Sequence, residues 1–221
     1  MCYGTSIPQY FRLEELIMSE SSTIVQDIDA MRKRGLVSLA FFYHDFREDQ
    51  KRGLRGLLSS MLFQLCDQSN SYYDILSSFY STHRRGAQNP SDDALIHCFQ
   101  DILKLQGQAP IFLIVDALDE CSNTSSMPSP RENALVLVKE LIDLQLPNLR
   151  ICVTSRPEVD IKGVLNPLTF RSISLHDERG QMEDIESYIK CVVNEDQRNR
   201  KWTAEDKQLV IDILTKNADG M

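Results

Sequence analysis

The stretch Ile111-Phe112-Leu113-Ile114-Val115-Asp116-Ala117-Leu118-Asp119-Glu120-Cys121 carries the densest chemistry in the chain. Its apolar run stops abruptly at a carboxylate. A short run without polar alternation reads as a strand covered on both faces. Asp116 then stands at the carboxyl edge of a parallel sheet, where ligands bind in open α/β folds. A carboxylate held there could fix a hydrated Mg²⁺, which takes one or two carboxylates and completes its shell with water and phosphate oxygens. Asp119 and Glu120 follow within one turn, close enough for one of them to orient a water toward a phosphoryl group. The plainer reading of the same residues is an acidic turn that solvates a strand end.

Ile151-Cys152-Val153-Thr154-Ser155-Arg156-Pro157 is the second signal. It reads as another buried strand, ending in two hydroxyls and a guanidinium. Arg156 could reach a terminal phosphate, because a guanidinium suits bidentate phosphate contact, with Thr154 and Ser155 beside it. An arginine after a strand otherwise faces solvent or pairs with a nearby carboxylate. Its place one helix after the acidic strand gives it weight.

The elements that must position these residues alternate strand with helix. Ile24, Val25, Ile28 and Met31 recur at helical spacing from Ser21, and Arg32-Lys33-Arg34-Gly35 supplies a basic last turn and a glycine stop. Leu36–Tyr43 is β-branched and aromatic enough for a strand. Helices are expected over Gly53–Gln68, over Tyr72–Thr82, and from the Asn89-Pro90-Ser91 turn to about Leu105. Ser129-Pro130-Arg131-Glu132 reads as a capping box with proline at the first helical position. Leu149–Val153 is a further strand and Phe170–Leu175 an alternating one. Helices over Gln181–Val193 and Thr203–Lys216 close the chain, with Thr203 and Asp206 as cap. This alternation predicts a parallel sheet wrapped by helices.

The composition narrows the function classes. The chain has 221 residues, 42% hydrophobic and 25% charged, with 9 glycines and 8 prolines. That is the make-up of a globular domain and excludes collagen-like or wholly disordered classes. The net charge of −8 argues against a nucleic-acid binder that relies on phosphate neutralisation. The apolar runs are too short for a membrane span, and Arg12, Glu14 and Glu15 interrupt what a signal peptide would need. A cytoplasmic protein is expected. Cys2, Cys66, Cys98, Cys121, Cys152 and Cys191 form no CxxC pair and read as reduced thiols. His44, His83, His97 and His176 show no zinc-ligand spacing. The short basic clusters, such as Arg47/Lys51/Arg52/Arg55, read as solvated helix faces.

The two strand-end segments resemble those of a known family. IFLIVDALDEC is similar to the Walker B segment of NACHT-type signalling NTPases, and ICVTSRP to their sensor segment. The resemblance is to the nephrocystin-3-like N-terminal domain of fungal NLR-like proteins. It takes in SLAFFYHDFRED, GLLSSMLFQL, the segment from Ser129 to Ile161, SLHDE, DIESYI and the final ADGM, and so spans about Ser21 to Met221. The resemblance implies a P-loop NTPase-like α/β fold with Mg-ATP as cofactor. It implies Asp116 as the Mg²⁺-water residue, Asp119 and Glu120 as the acidic pair of hydrolysis, and Thr154, Ser155 and Arg156 as the phosphate contacts. Family members act as nucleotide switches between an effector domain and C-terminal repeats.

The departure from that pattern decides the expected function. A P-loop needs glycine-rich backbone cradling phosphates and ending in Lys-Ser/Thr. At the corresponding place this chain reads Glu14-Glu15-Leu16-Ile17-Met18-Ser19-Glu20-Ser21-Ser22, without glycine or lysine. The apolar strand expected ahead of the loop is not recognisable either. Three or four lost charge-assisted hydrogen bonds amount to roughly 5–10 kcal/mol, against about 8 kcal/mol for a micromolar ligand. The expectation is a divergent segment over 1–20 and a partial NACHT-like module over 21–221, its first strand and P-loop missing or degenerate. Such a fragment or degenerate copy would regulate or interact, pairing with protein partners such as intact relatives, and would bind ATP poorly. The alternatives are a competent Mg-dependent NTPase and a metal-dependent phosphohydrolase using Asp116, Asp119 and Glu120. A sheet without its central strand is expected to leave two strands with unpaired ladder groups.

Overall fold

The computed structural model describes residues 21–48, 53–83, 89–123, 127–169, 179–196 and 201–217. In chain order these form α1 (Ser21–Lys33), β1 (Ser38–Tyr43), α2 (Leu54–Gln68), α3 (Asn70–Thr82), α4 (Asp92–Leu103), β2 (Ile111–Asp116), a 3₁₀ turn (Leu118–Glu120), α5 (Pro130–Asp143), β3 (Leu149–Val153), α6 (Val159–Leu165), α7 (Arg179–Glu195) and α8 (Ala204–Asn217). The chain divides near Phe170 into two compact units. The first holds the sheet. Of the second, α7 and α8 are described, and they pack on each other.

The sheet is parallel, in the order β1-β2-β3. Ser38 pairs with Ile111 and Tyr43 with Asp116, while Ile111 pairs with Leu149 and Val115 with Val153. Side chains alternate across a strand, so the register sorts them into two faces. Ala40, Phe42, Ile111, Leu113 and Val115 share one core with residues of α2 to α5, and Leu149, Ile151 and Val153 pack against it. Leu39 and Ile114 on the opposite face are also buried, and α1 packs on β1 and β2. The parallel α/β sheet flanked by helices is thus the fold that the alternation of elements predicts.

Local chemistry sets the boundaries. Ser91 accepts from the Ala94 amide (3.2 Å), and Ser129 and Glu132 form the reciprocal capping box expected of them. Thr203 Oγ1 accepts from the Asp206 amide and Asp206 from that of Thr203. β1 starts at Ser38, not Leu36, because Gly35 takes φ +70° and the Leu36 amide bonds back to the Met31 carbonyl (3.2 Å). That is a Schellman stop, and it holds Leu36 out of the strand. The helix expected from Tyr72 begins at Asn70, and α6 is a helix that the sequence reading did not foresee. The alternating segment Phe170–Leu175 and the first twenty residues lie outside the described residues. Among the described residues, β1, β2 and β3 pair without a gap.

The outer edge of β1 is closed by side chains. The Leu39 amide donates to Gln68 Oε1 (2.9 Å), and Gln68 Nε2 returns a bond to the Leu39 carbonyl (2.6 Å). Two residues on, Phe41 and Gln64 repeat the exchange at 3.1 and 2.7 Å. Strand groups that face one edge recur every two residues, and helix positions four apart share one face. Gln64 and Gln68 of α2 therefore act as a surrogate strand.

Candidate functional site at the carboxyl ends of the strands

Because the strands are parallel, β1, β2 and β3 deliver their ends to one edge of the sheet. Asp116 is the last residue of β2 and is half-buried. Its Oδ1 accepts from Thr154 Oγ1. The same hydroxyl oxygen accepts from the Ala117 amide (3.1 Å), and the Leu118 amide donates to the Thr154 carbonyl (3.0 Å). The Asp116 carbonyl accepts from the His44 amide (3.1 Å), which ties the end of β1 to the same point. Burial, and then the charge of Asp116, hold the Tyr43 phenol above its ordinary value. The same two causes, in the same order, raise the Cys152 thiol.

Ala117 then turns the chain. Its φ of 53° lies in the left-handed region, which costs a residue with a β-carbon about 1–2 kcal/mol. Leu118 is fully buried and anchors the 3₁₀ turn. With the leucine fixed inward, the two acids that follow reach in different directions. Asp119 Oδ1 accepts from the Arg156 amide (2.9 Å), and its Oδ2 lies 3.6 Å from Arg156 Nε. Glu120 Oε2 accepts from the Phe46 amide (3.3 Å), in the loop after β1. Ser155 is exposed. The side chains of Asp116 and Asp119 thus reach the segment after β3 and that of Glu120 the loop after β1, and among the described residues no three acidic, histidine or cysteine side chains converge on one point.

Arg131 is the residue that the sequence reading undervalued. It enters there only as part of a capping box, yet it is 9% exposed. Its Nε donates to the Cys121 carbonyl (3.1 Å), Nη2 to the Asp119 carbonyl, and Nη1 to Asp160 Oδ2 (3.3 Å). A buried guanidinium thus satisfies the carbonyls of the acidic turn and links it to α6. Its signal in the sequence is faint: an arginine three residues before an apolar helix face.

These contacts bear on what the site can hold. A lone carboxylate binds Mg²⁺ only alongside phosphate oxygens, and phosphates need a cradle of their own. No glycine in the chain is followed by lysine. Among the described residues, the strand-end side chains supply a carboxylate and two hydroxyls and no such cradle. A cavity of about 430 Å³, lined by Arg32, Lys33, Ser38, Gln68 and Gln108 among others, opens where β1 begins, away from Asp116.

The family model described as Nephrocystin 3, N-terminal matches residues 20–156, more than half of the chain. The chain belongs to the nephrocystin 3 N-terminal family. No curated protein and no solved structure gives a significant match. For this nephrocystin 3 N-terminal chain the match begins just ahead of α1, takes in the whole described sheet, and ends at Arg156. The likeness read in SLHDE, DIESYI and ADGM lies beyond it. No helix among the described residues is long and apolar enough to cross a membrane.

Proposed function

We infer that this chain is a regulatory or interaction module of NACHT-like descent, in which the acidic strand ends fasten loops together instead of hydrolysing a nucleotide. One observation carries the reading: Asp119 and Glu120 are engaged by the Arg156 and Phe46 amides. A carboxylate that accepts a backbone amide is held by the fold and is poorly placed to orient an attacking water. The absence of a Gly-Lys pair supports weak phosphate binding. The Thr154–Asp116 hydrogen bond joins two strand ends, and the output of the module passes through protein partners in the cytoplasm, intact relatives among them.

Isothermal titration and thermal shift with Mg-ATP and Mg-GTP test this reading. The expected result is no heat of binding in the micromolar range and an unchanged melting temperature. Saturable low-micromolar binding, lost in Asp116→Asn, would establish the competent NTPase in its place.

A further inference from the structure

Helix α6 is short and lightly held. It has seven residues, and a helix of that length is not stable on its own in water. Gly163 stands in its interior, where glycine is the poorest helix former after proline. Its N-cap, Glu158, gives no side-chain hydrogen bond, Ile161 is its one buried side chain, and Val159 is 88% exposed. Yet Asp119 is gripped from two sides, and both grips lead to α6. Asp119 Oδ1 accepts from the Arg156 amide (2.9 Å), and the Arg156 carbonyl accepts from the amide of Glu158 (2.8 Å). The Asp119 carbonyl accepts from Arg131 Nη2, while Arg131 Nη1 donates to the two oxygens of Asp160 (3.3 and 3.5 Å), in the first turn of α6.

We propose that α6 is a latch on the acidic turn: docked and helical it clamps Asp119, and undocked it unwinds and lets the turn go. The two states follow from the length of the helix. With no stability of its own it forms only against the core, so the departure of Ile161 and the loss of the helix are one event. Undocking also carries Asp160 away from Arg131. That guanidinium is 9% exposed and would be left as a buried charge without its carboxylate, so Asp160, Arg131 and Asp119 hold or release together. The latch lies next to the boundary of its unit. The Leu168 amide and the Thr169 hydroxyl donate to the Leu165 carbonyl (2.9 and 2.6 Å), which ties the chain leaving toward Phe170 to the end of α6. Strain arriving along the chain at that point meets α6 before it meets the sheet. The proposal rests on the reading of the strand ends as fasteners, and it names what governs the fastening.

Hydrogen exchange resolved to single amides, on the full chain without nucleotide, tests the latch. Gly163→Ala strengthens α6 and touches nothing else, because a β-carbon there meets no atom within 4 Å. It should slow exchange about fivefold at Leu118, Cys121 and Arg156, although the alanine adds no contact to them. Asp160→Asn should speed the same three amides about tenfold. In both variants the Leu39 and Phe41 amides, held by Gln68 and Gln64 at the outer edge of β1, should keep their rates. The latch requires both shifts, in opposite directions. Effects confined to α6 overturn it, as does an unmoved acidic turn in either variant. So does an equal change at Leu39 and Phe41, which would mean that α6 opens only with the whole fold. Failure of the underlying reading shows elsewhere, as low-micromolar Mg-ATP binding, so the two failures stay distinct.

Discussion

The outer edge of β1 and the outer edge of β3 pose the same physical problem, and among the described residues only the first is closed by side chains. Each presents amide and carbonyl groups that must be paired or left to water. On β1 the side chains of Gln64 and Gln68 complete four hydrogen bonds and close the ladder. On β3 the groups of Ile151 and Val153 meet no such side chains among the described residues. The lesson is that a strand edge can be finished by two side chains of one helix, without a further strand.

The strongest way to break this comparison is to open the closed edge. Replacing both Gln64 and Gln68 with leucine keeps the volume but strands the groups of Leu39 and Phe41. At roughly 1–3 kcal/mol for each part-buried unsatisfied group, partly offset by water, the double variant should lose about 3–6 kcal/mol in urea unfolding. A loss below 1 kcal/mol would mean that the glutamines decorate the edge without holding it. Next in size is Arg131→Met. It leaves the carbonyls of Asp119 and Cys121 without their donor and should cost about 2–4 kcal/mol, with the Thr154–Arg156 segment cleaved faster by protease.

The thiols sharpen the contrast by pH. Burial pushes Cys66, Cys98 and Cys121 from the ordinary 9.0 up to about 11. Their protonated forms are favoured in the folded state. That stability is fully present below pH 9.0 and is lost as pH rises toward 11, by at most about 3 kcal/mol per thiol. A Cys66→Ala variant, on the closed side, should flatten this alkaline slope in chemical denaturation measured across pH. Asp119→Asn comes lower, at about 1 kcal/mol, since its guanidinium partner is 80% exposed and such pairs contribute little. The smallest effect belongs to the outer edge of β3. Arg150→Ala should change the stability of the monomer by less than about 0.5 kcal/mol, and a larger loss would show that this edge is braced after all.

Much of the frame was legible in the sequence because its signals are local. An apolar run that halts at Asp116, serine caps at Ser91 and Ser129, and helical leucine spacing each declare an element within a few residues. The site residues were legible as types and places, and their partners were not. Nothing in the spacing of Asp116, Asp119 and Glu120 says that a left-handed Ala117 and a buried Leu118 will send Asp119 to the segment after β3 and Glu120 to the loop after β1. Gln64 and Gln68 read as polar positions of an amphipathic helix, and only the strand beside them gives them a task. Helix α6 escaped notice because seven residues after a proline carry too little periodicity.

The strand-end contacts have a consequence for motion. The His44 amide is held by the Asp116 carbonyl, the Phe46 amide by Glu120, the Leu118 amide by the Thr154 carbonyl, and the Arg156 amide by Asp119. Four amides in three loops thus hang on one knot, although more than a hundred positions separate the first from the last along the chain. In deuterium exchange they should surrender protection together, as one opening unit, and whatever loosens the acidic turn will be felt at once after every strand.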